Sequence, residues 1–410
     1  MARILAYTSP ARGHLFPLMP ILLELAARGH DVSLRTLASE VALARQLGLD
    51  AAPIDPRIEA IEHDDFGARN SRAALTRVAD VFTRRAALDG PDFDAAIEAH
   101  EPDATIIDFN CWGAMSSAEA GGSAWATFCP YPTMLGSADA PPFGPGFAPA
   151  RGPAGRMRDR LARPMILGAV EKAWLPGLNA IRAERNLNAL KSADDLVLAP
   201  PLMLYMTAEP FDYPRSDWPE SFVMVGPCAW EPDAAAPPWV DELDRPVILV
   251  TTSSEFQDDG ELIETAFAAL ADLPYEIVAT APAGDAAKFR APENGRVEQF
   301  VPHGKLLGHA VCAVTHGGMG ATQKALARGV PVCAVPFGRD QLEVARRVEV
   351  SGAGSRLSAR RLSVDKLRAK VLEAIELKAG AERIAAAYDA TGGAAAAADA
   401  FEQRAVQAMS

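Results

Sequence analysis

The sequence predicts an α/β protein made of two doubly wound parallel-sheet domains that face each other across a cleft. Short β-branched runs alternate with longer helical patterns, the arrangement of a parallel sheet. Those runs show little alternation of polar and apolar residues, as expected of strands covered by helices on both faces. The alternation also stops and restarts around a Pro-, Ala- and Asp-rich stretch, Gly226-Pro227 to Pro237-Pro238, which has linker composition. At about 150 residues per domain, a chain of 410 residues divides into two or three domains.

In the first half, Ile4–Tyr7 reads as a strand and Leu15–Arg28 as a helix closed by Gly29. Val32–Thr36 follows as a strand and Glu40–Leu47 as a helix closed by Gly48. Ala104–Ile107 is a strand, Ala114–Ala120 a helix ending at Gly121-Gly122, and Ala124–Phe128 a strand. Gly136 to Gly155 reads as a long surface loop, because Pro and Gly crowd Ala140–Phe147. Arg156–Arg163 then opens a helical segment reaching about Arg185, with five arginines counting Arg151. A basic helix can lie on a membrane surface, but Pro164 breaks the opposite face, so a solvated helix over a cleft is expected. The second half reads Val247–Thr251, helix Glu261–Ala271, Glu276–Thr280, Val297–Val301, Val311–Thr315, helix Thr322–Arg328 and Val330–Val335. An Ala-rich helical tail runs from Ala379 to Ser410. The expected boundaries are 1–215 and 241–385 for the domains, 216–240 for the linker and 386–410 for a tail packing back on the first domain.

Composition narrows the function. Hydrophobic residues are 49% and charged residues 23%, enough to build a large core and to exclude disorder. Lys plus Arg is 40 against 53 for Asp plus Glu, a formal net charge of −13, which repels phosphate backbones and disfavours a nucleic-acid partner. Five cysteines (111, 129, 228, 312, 333) include no CxxC pair, so free buried thiols in a reducing cytoplasm are expected. No signal peptide is read at the N-terminus, and no apolar run approaches the ~20 residues that span a bilayer.

Ligands of doubly wound sheets bind at the carboxyl ends of strands, near the point where strand order reverses. The residues after the first strand, Thr8-Ser9-Pro10-Ala11-Arg12-Gly13-His14, are not GxGxxG, and no GxxxxGK[ST] occurs. The seven histidines include no HExxH, and no His/Asp/Glu group has metal-ligand spacing. No redox cofactor or dedicated metal cage is expected.

The densest chemical signal is Thr315-His316-Gly317-Gly318-Met319-Gly320-Ala321-Thr322-Gln323. A buried strand ends in Thr315-His316, glycines follow, and a helix opens near Gly320. Bare backbone N–H groups at the positive end of a helix dipole make an anion site, unless the glycines merely permit positive φ at a turn. Other strand ends add to it. Pro336-Phe337-Gly338-Arg339-Asp340-Gln341 offers groups for a polyol, Phe300-Val301-Pro302-His303 an aromatic face and an imidazole for a base and ribose, and Thr251-Thr252-Ser253-Ser254 hydroxyls for phosphate.

The run His316-Gly-Gly-Met-Gly-Ala-Thr-Gln-Lys-Ala-Leu-Ala-Arg-Gly-Val-Pro-Val, followed by Pro-Phe-Gly-Arg-Asp340-Gln341, resembles the donor-binding block of family 1 inverting glycosyltransferases of the GT-B fold. Their two domains are Rossmann-like, and bacterial natural-product glycosyltransferases and UDP-glycosyltransferases belong to them. The block is about 40 residues long, and Arg12-Gly13-His14 and Asp108 fit the family's first half. The resemblance implies that His316 and the N–H groups of Gly318 and Gly320 hold the diphosphate of a UDP- or dTDP-sugar. Asp340 and Gln341 would bind sugar hydroxyls, Phe300 would stack on the base, Val301 would offer backbone and His303 would meet the ribose. Ser254 falls where relatives place a phosphate-contacting Ser. Ala321 departs from the Ser or Thr of many members, which implies a weaker phosphate grip without loss of activity; Thr322, one residue on, is the candidate to compensate.

His14 follows the first strand, and its ordinary pKa near 6.5 suits a general base at neutral pH, although a loop histidine is often structural. Asp108 closes the strand Ala104–Ile107 on the same sheet edge. It reads either as a turn aspartate or as a carboxylate that orients the imidazole. In the resembled family these positions form a His–Asp dyad, implying direct displacement with inversion. Phe109, Cys111, Trp112, Phe128, Tyr131, Met134, Phe143 and Phe147 crowd the region expected to take a hydrophobic acceptor such as a polyketide, macrolide or polyphenol. Core packing is preferred for Phe109 and Phe128. Trp112, Tyr131, Phe143 and Phe147 are the candidate contacts. The alternatives are a nucleotide-sugar epimerase or hydrolase of the same fold, or a non-catalytic nucleotide-sugar-binding helper. A monomer or homodimer is expected.

Overall fold

A computed structural model describes residues 1–65, 68, 71–254 and 257–406, without the side chains of 71 and 72. The last residues of the expected tail, 407–410, lie outside the described residues. The first half runs β1 (Arg3–Tyr7), α1 (Arg12–Ala27), β2 (Asp31–Thr36), α2 (Val41–Gln46), β3 (Asp50–Pro53), α3 (Pro56–Glu59), α4 (Ser71–His100), β4 (Ala104–Asp108), α5 (Trp112–Gly121), β5 (Ala124–Cys129), α6 (Pro153–Glu184), α7 (Ala193–Leu198), β6 (Met203–Tyr205) and β7 (Phe222–Met224). The second runs β8 (Val247–Thr251), α8 (Glu261–Leu270), β9 (Glu276–Thr280), β10 (Gly295–Glu298), α9 (His303–Leu306), β11 (Ala310–Thr315), α10 (Met319–Leu326), β12 (Val332–Ala334), α11 (Gln341–Val350), β13 (Gly354–Arg356), α12 (Val364–Ile375), α13 (Lys378–Asp389) and α14 (Gly393–Phe401).

The first sheet is parallel, in the order β3-β2-β1-β4-β5-β6-β7, and the second is parallel, in the order β10-β9-β8-β11-β12-β13. Each is buried on both faces by helices, which explains the unbroken apolar strands. Each order reverses once at its centre. There Tyr7 of β1 pairs with Ile107 of β4, and Thr251 of β8 pairs with Thr315 of β11. Chain exits that are a hundred residues apart in the first half thus become neighbours.

Three expectations on local structure change. His14 is not in a loop: α1 starts at Arg12, so His14 sits in its first turn, with Ala11 at the N-cap. Pro164 does not interrupt α6, which runs through both Pro164 and Pro176. The strand expected over Val297–Val301 is β10, ending at Glu298, so Phe300 and Val301 follow it in the loop.

The halves are stitched by buried polar contacts. Arg347 of α11 reaches Asp212 (2.8 Å) and Glu343 (3.0 Å), and Gln323 donates to the Met206 carbonyl (3.0 Å). Beyond α13 the chain returns to the first half. Ala397, Ala398 and Phe401 of α14 enter the core that holds Leu18 and Leu22 of α1, and Arg28 pairs with Asp399 (2.6 Å) and Glu402 (3.0 Å). All five cysteines are free and buried. Among the described residues, no helix is long and apolar enough to cross a membrane.

Candidate active site in the cleft between the sheets

A cavity of about 1950 Å³ lies between the two sheets, at their carboxyl edges. On its first-half side, His14 Nδ1 lies 2.9 Å from both carboxylate oxygens of Asp108. Asp108 is fully buried and also accepts from the Ser9 amide (3.0 Å), the Ser9 hydroxyl (2.5 Å) and the Asn110 amide (3.0 Å). Burial pushes the carboxyl upward, but His14 and these donors outweigh it and hold the group below the usual carboxylate range. An ionised Asp108 fixes the proton of His14 on Nδ1, leaving Nε2 on the opposite edge of the ring as the basic nitrogen. Asn110 Nδ2 lies 3.4 Å from Nε2, while the Asn110 carbonyl accepts from the Tyr131 hydroxyl (2.6 Å). The Tyr131 ring stands 5.5 Å from the imidazole.

Across the cavity, β11 ends at Thr315 and α10 begins at Met319, with His316 and two glycines between. Gly317 needs its left-handed φ of +85°. At Gly318 a Cβ would stand 2.3 Å from His316 Nε2, so only glycine lets the imidazole lie over this turn. Burial holds His316 below the ordinary imidazole range, which keeps it a neutral hydrogen-bond donor. Gly318, Gly320, Ala321 and Ser254 all line the cavity near it.

At the far end of this wall Phe300 is 53% exposed, a ring with an uncovered face. Val301 is fully buried in the core, so only its backbone can serve a ligand. His303 lines the cavity; burial, with the charge of Lys324, pushes its pKa down to about 4. Glu231, from the linker stretch, accepts from the His303 and Gly304 amides (3.1 and 2.6 Å) and pairs with Lys324 (2.9 Å). Asp340 lines the cavity, its carboxyl raised by burial, and its charge is felt by Tyr131 of the other half.

Three expected contacts are corrected. Gln341 is 2% exposed; its carbonyl accepts from the Phe337 and Gly338 amides (2.8 and 3.0 Å) and its amide donates to Gln257 (2.6 Å). It shapes the loop that carries Asp340 instead of facing the cavity. Thr322 is fully buried, its hydroxyl 3.3 Å from that of Thr315, and it does not stand in for the hydroxyl missing at Ala321. Phe147 lies outside the cavity, stacked under the Arg158 guanidinium at 4.7 Å.

Of the other first-half candidates, Tyr131 and Phe143 line the cavity, and Trp112 does so from within the core, 1% exposed. Phe128 is a core residue, and Phe109, equally expected in the core, is buried but also lines the cavity. The larger part of the apolar wall was missed. It comes from Leu75, Val78 and Phe82 of α4 and Ile166, Val170 and Trp174 of α6. Trp174 meets Trp112 at 4.9 Å and Phe82 meets Trp112 at 5.1 Å. Spacings of three and four along α4 and of four along α6 were the available signal.

The second half also holds the loop that carries Phe143. Glu343 of α11 accepts from the Gly144 and Gly146 amides (2.7 and 2.8 Å), and Arg346 donates to the Gly146 carbonyl (2.7 Å). Arg339 pairs with Asp65 of the first half at 2.9 Å, and both line the cavity. Among the described residues, no group of three or more His, Cys, Asp or Glu is placed to hold a metal ion.

The comparisons with known proteins agree with this architecture. The chain is 32% identical to 4'-demethylrebeccamycin synthase of Lentzea aerocolonigenes over 386 residues, 90% of this chain and 91% of the relative. It belongs to the bacterial natural-product glycosyltransferases of family 1, with the GT-B fold. Residues 264–399 match the C-terminal domain of erythromycin biosynthesis protein CIII-like proteins. The crystal structure of the glycotransferase of kitacinnamycin is 25% identical and covers 98% of both chains, with a TM-score of 0.75. The glycosyltransferase VinC in complex with DTDP, 24% identical, shares the fold with a TM-score of 0.69 over 99% of this chain and 100% of its own. This family 1 member is thus a glycosyltransferase of natural-product type that uses a nucleotide-sugar donor.

Proposed function

We propose that the enzyme inverts the anomeric centre, moving the sugar of a UDP- or dTDP-sugar to a hydroxyl of a hydrophobic small molecule with His14 as general base. The observation that carries this is the His14–Asp108 pair at 2.9 Å, on the wall of the same cavity as His316, Gly318 and Gly320. His14 Nε2 takes the proton of the acceptor hydroxyl, and ionised Asp108 stabilises the resulting imidazolium. The acceptor oxygen bonds to the anomeric carbon from the face opposite the diphosphate. The bond from that carbon to the diphosphate oxygen breaks, and the electron pair leaves with the nucleoside diphosphate. His316, the amides of Gly318 and Gly320 and the start of α10 are placed to take up that charge, a preorganised electrostatic site. An α-linked donor gives a β-linked product.

In this reading residues 241–385 bind the donor, with Ser254 near the phosphates, Asp340 at the sugar, and Phe300 and His303 at the nucleoside. Residues 1–215 bind the acceptor, 216–240 link the two, and the tail that starts at 386 packs back over its described part, to residue 406. The Phe82–Trp112–Trp174 cluster with Phe143 supports a polyketide, macrolide or polyphenol as acceptor. The test is incubation with a UDP- or dTDP-sugar, with and without a polyphenol or macrolide. Nucleoside diphosphate released only with acceptor, alongside a β-glycoside, is the expected result. Release without acceptor, or an α-glycoside, contradicts it.

A further inference from the structure

Helix α6 carries an exposed apolar ridge, of which Met157 and Leu161 lie outside the cleft and Met165 at its edge. Met157, Leu161 and Met165 are 54%, 63% and 78% exposed. They stand four residues apart, so they align on one side of the helix. Ten large apolar side chains are exposed among the described residues, and these three form the one such line; the others are scattered singly, as is ordinary for a surface.

The exposed charges beside the ridge are cationic: Arg156, Arg160 and Lys172. Glu171, beyond Met165, is half-buried and accepts from the Ala193 amide (3.1 Å). The carboxylate nearest in sequence, Asp159, is buried and paired with Arg158 at 2.7 Å. Arg163 is tied to the Ser137 and Ala140 carbonyls. The far end of the helix is anchored in the core through Leu178 and Ile181, both buried, so the ridge belongs to the half that projects outward.

Long exposed apolar side chains interleaved along a helix with exposed cations suit an interface between headgroups and acyl chains. A groove would suit a partner segment, and this ridge forms none. The chain as a whole carries −13, so an anionic surface repels most of it, and the cationic strip decides which face approaches. Met165 and its neighbour Ile166 also line the cavity, which places the ridge at the cleft mouth.

We propose that α6 docks the enzyme peripherally on an anionic phospholipid surface. Met157, Leu161 and Met165 enter the acyl boundary, Arg156 and Arg160 meet headgroup phosphates, and an acceptor dissolved in the bilayer enters the cleft beside Met165. The delivery step rests on the apolar acceptor proposed above; docking does not.

The test is cosedimentation of the full chain with phosphatidylcholine vesicles and with vesicles of phosphatidylcholine and phosphatidylglycerol in equal parts. Binding to the anionic vesicles alone, weakening with salt, is expected. Arg156→Gln with Arg160→Gln should weaken it roughly 30-fold, at about 1 kcal/mol per cation. Met157→Asp with Leu161→Asp should weaken it by at least about ten-fold. Both variants should keep the wild-type thermal shift with nucleoside diphosphate, which shows that the fold and the donor site are intact. No binding to anionic vesicles, or binding that neither variant changes, overturns docking. A concentration-dependent dimer dispersed by Met157→Asp with Leu161→Asp assigns the ridge to a second copy and also overturns it. Vesicle binding without acceptor-dependent glycosylation retains docking and removes delivery alone.

Discussion

Two histidines stand at the reversal points of the two sheets, and their surroundings make them different reagents. His14 follows β1 and meets a buried, ionised Asp108 at 2.9 Å. His316 follows β11 over a glycine turn, where burial holds it below the ordinary imidazole range. In the proposed reading one accepts a proton, and the other stays neutral and donates a hydrogen bond. The comparison teaches that the same topological position, filled by the same residue type, acquires its role from the neighbour that strand order supplies.

The comparison is broken most forcefully at the base. His14→Ala should lower turnover by about 10³- to 10⁴-fold, at the upper end of general-base contributions, and leave nucleotide affinity nearly unchanged; a variant with full turnover refutes the assignment. Asp108→Asn keeps the shape but presents an amide to Nδ1, which favours the wrong tautomer. A loss of roughly 10²- to 10³-fold in kcat with little change in donor KM is expected, and a change confined to donor KM would contradict it.

On the donor side the effects are smaller. His303 is held neutral, its pKa lowered from 6.5 to about 4. Its folded pKa lies below its unfolded one, so the unfolded chain binds the extra proton. Stability is full above pH 6.5 and falls as pH drops toward 4, by on the order of 3 kcal/mol. Urea midpoints at pH 7 and pH 4.5 should differ less in His303→Gln than in the parent. Ala321→Ser restores a hydroxyl at the start of α10 that Thr322 does not supply. It should tighten nucleoside diphosphate binding by about five-fold, the value of one added hydrogen bond of roughly 1 kcal/mol, measured by titration calorimetry.

The donor half was the more legible because its densest run, Thr315 to Asp340, lies on strands that follow each other in the sheet, with Ser254, Phe300 and His303 added from other strand ends. Reading failed there at Thr322 and Gln341, where residue type suggested a ligand contact and packing turned the side chain inward. In the first half His14 and Asp108 were expected as a pair and do meet, but Ser9 and Asn110, which complete the hydrogen bonds of Asp108, were not anticipated. Their adjacency depends on β1 pairing with β4 across a hundred residues. The apolar wall of the cavity was hardest, because α4 and α6 carry it on residues that look like ordinary helix-core positions. The loop holding Phe143 is fixed by Glu343, two hundred residues away, which no local pattern announces.

The most direct measurement is the affinity of UDP and dTDP for His14→Ala and His316→Ala, by calorimetry, beside the transfer rate of each. Loss of transfer in both, with affinity kept in the first and reduced at least about ten-fold in the second, is the predicted result. Equal losses of affinity, or a loss confined to His14→Ala, would show that the two imidazoles do not divide base and diphosphate duties between the lobes.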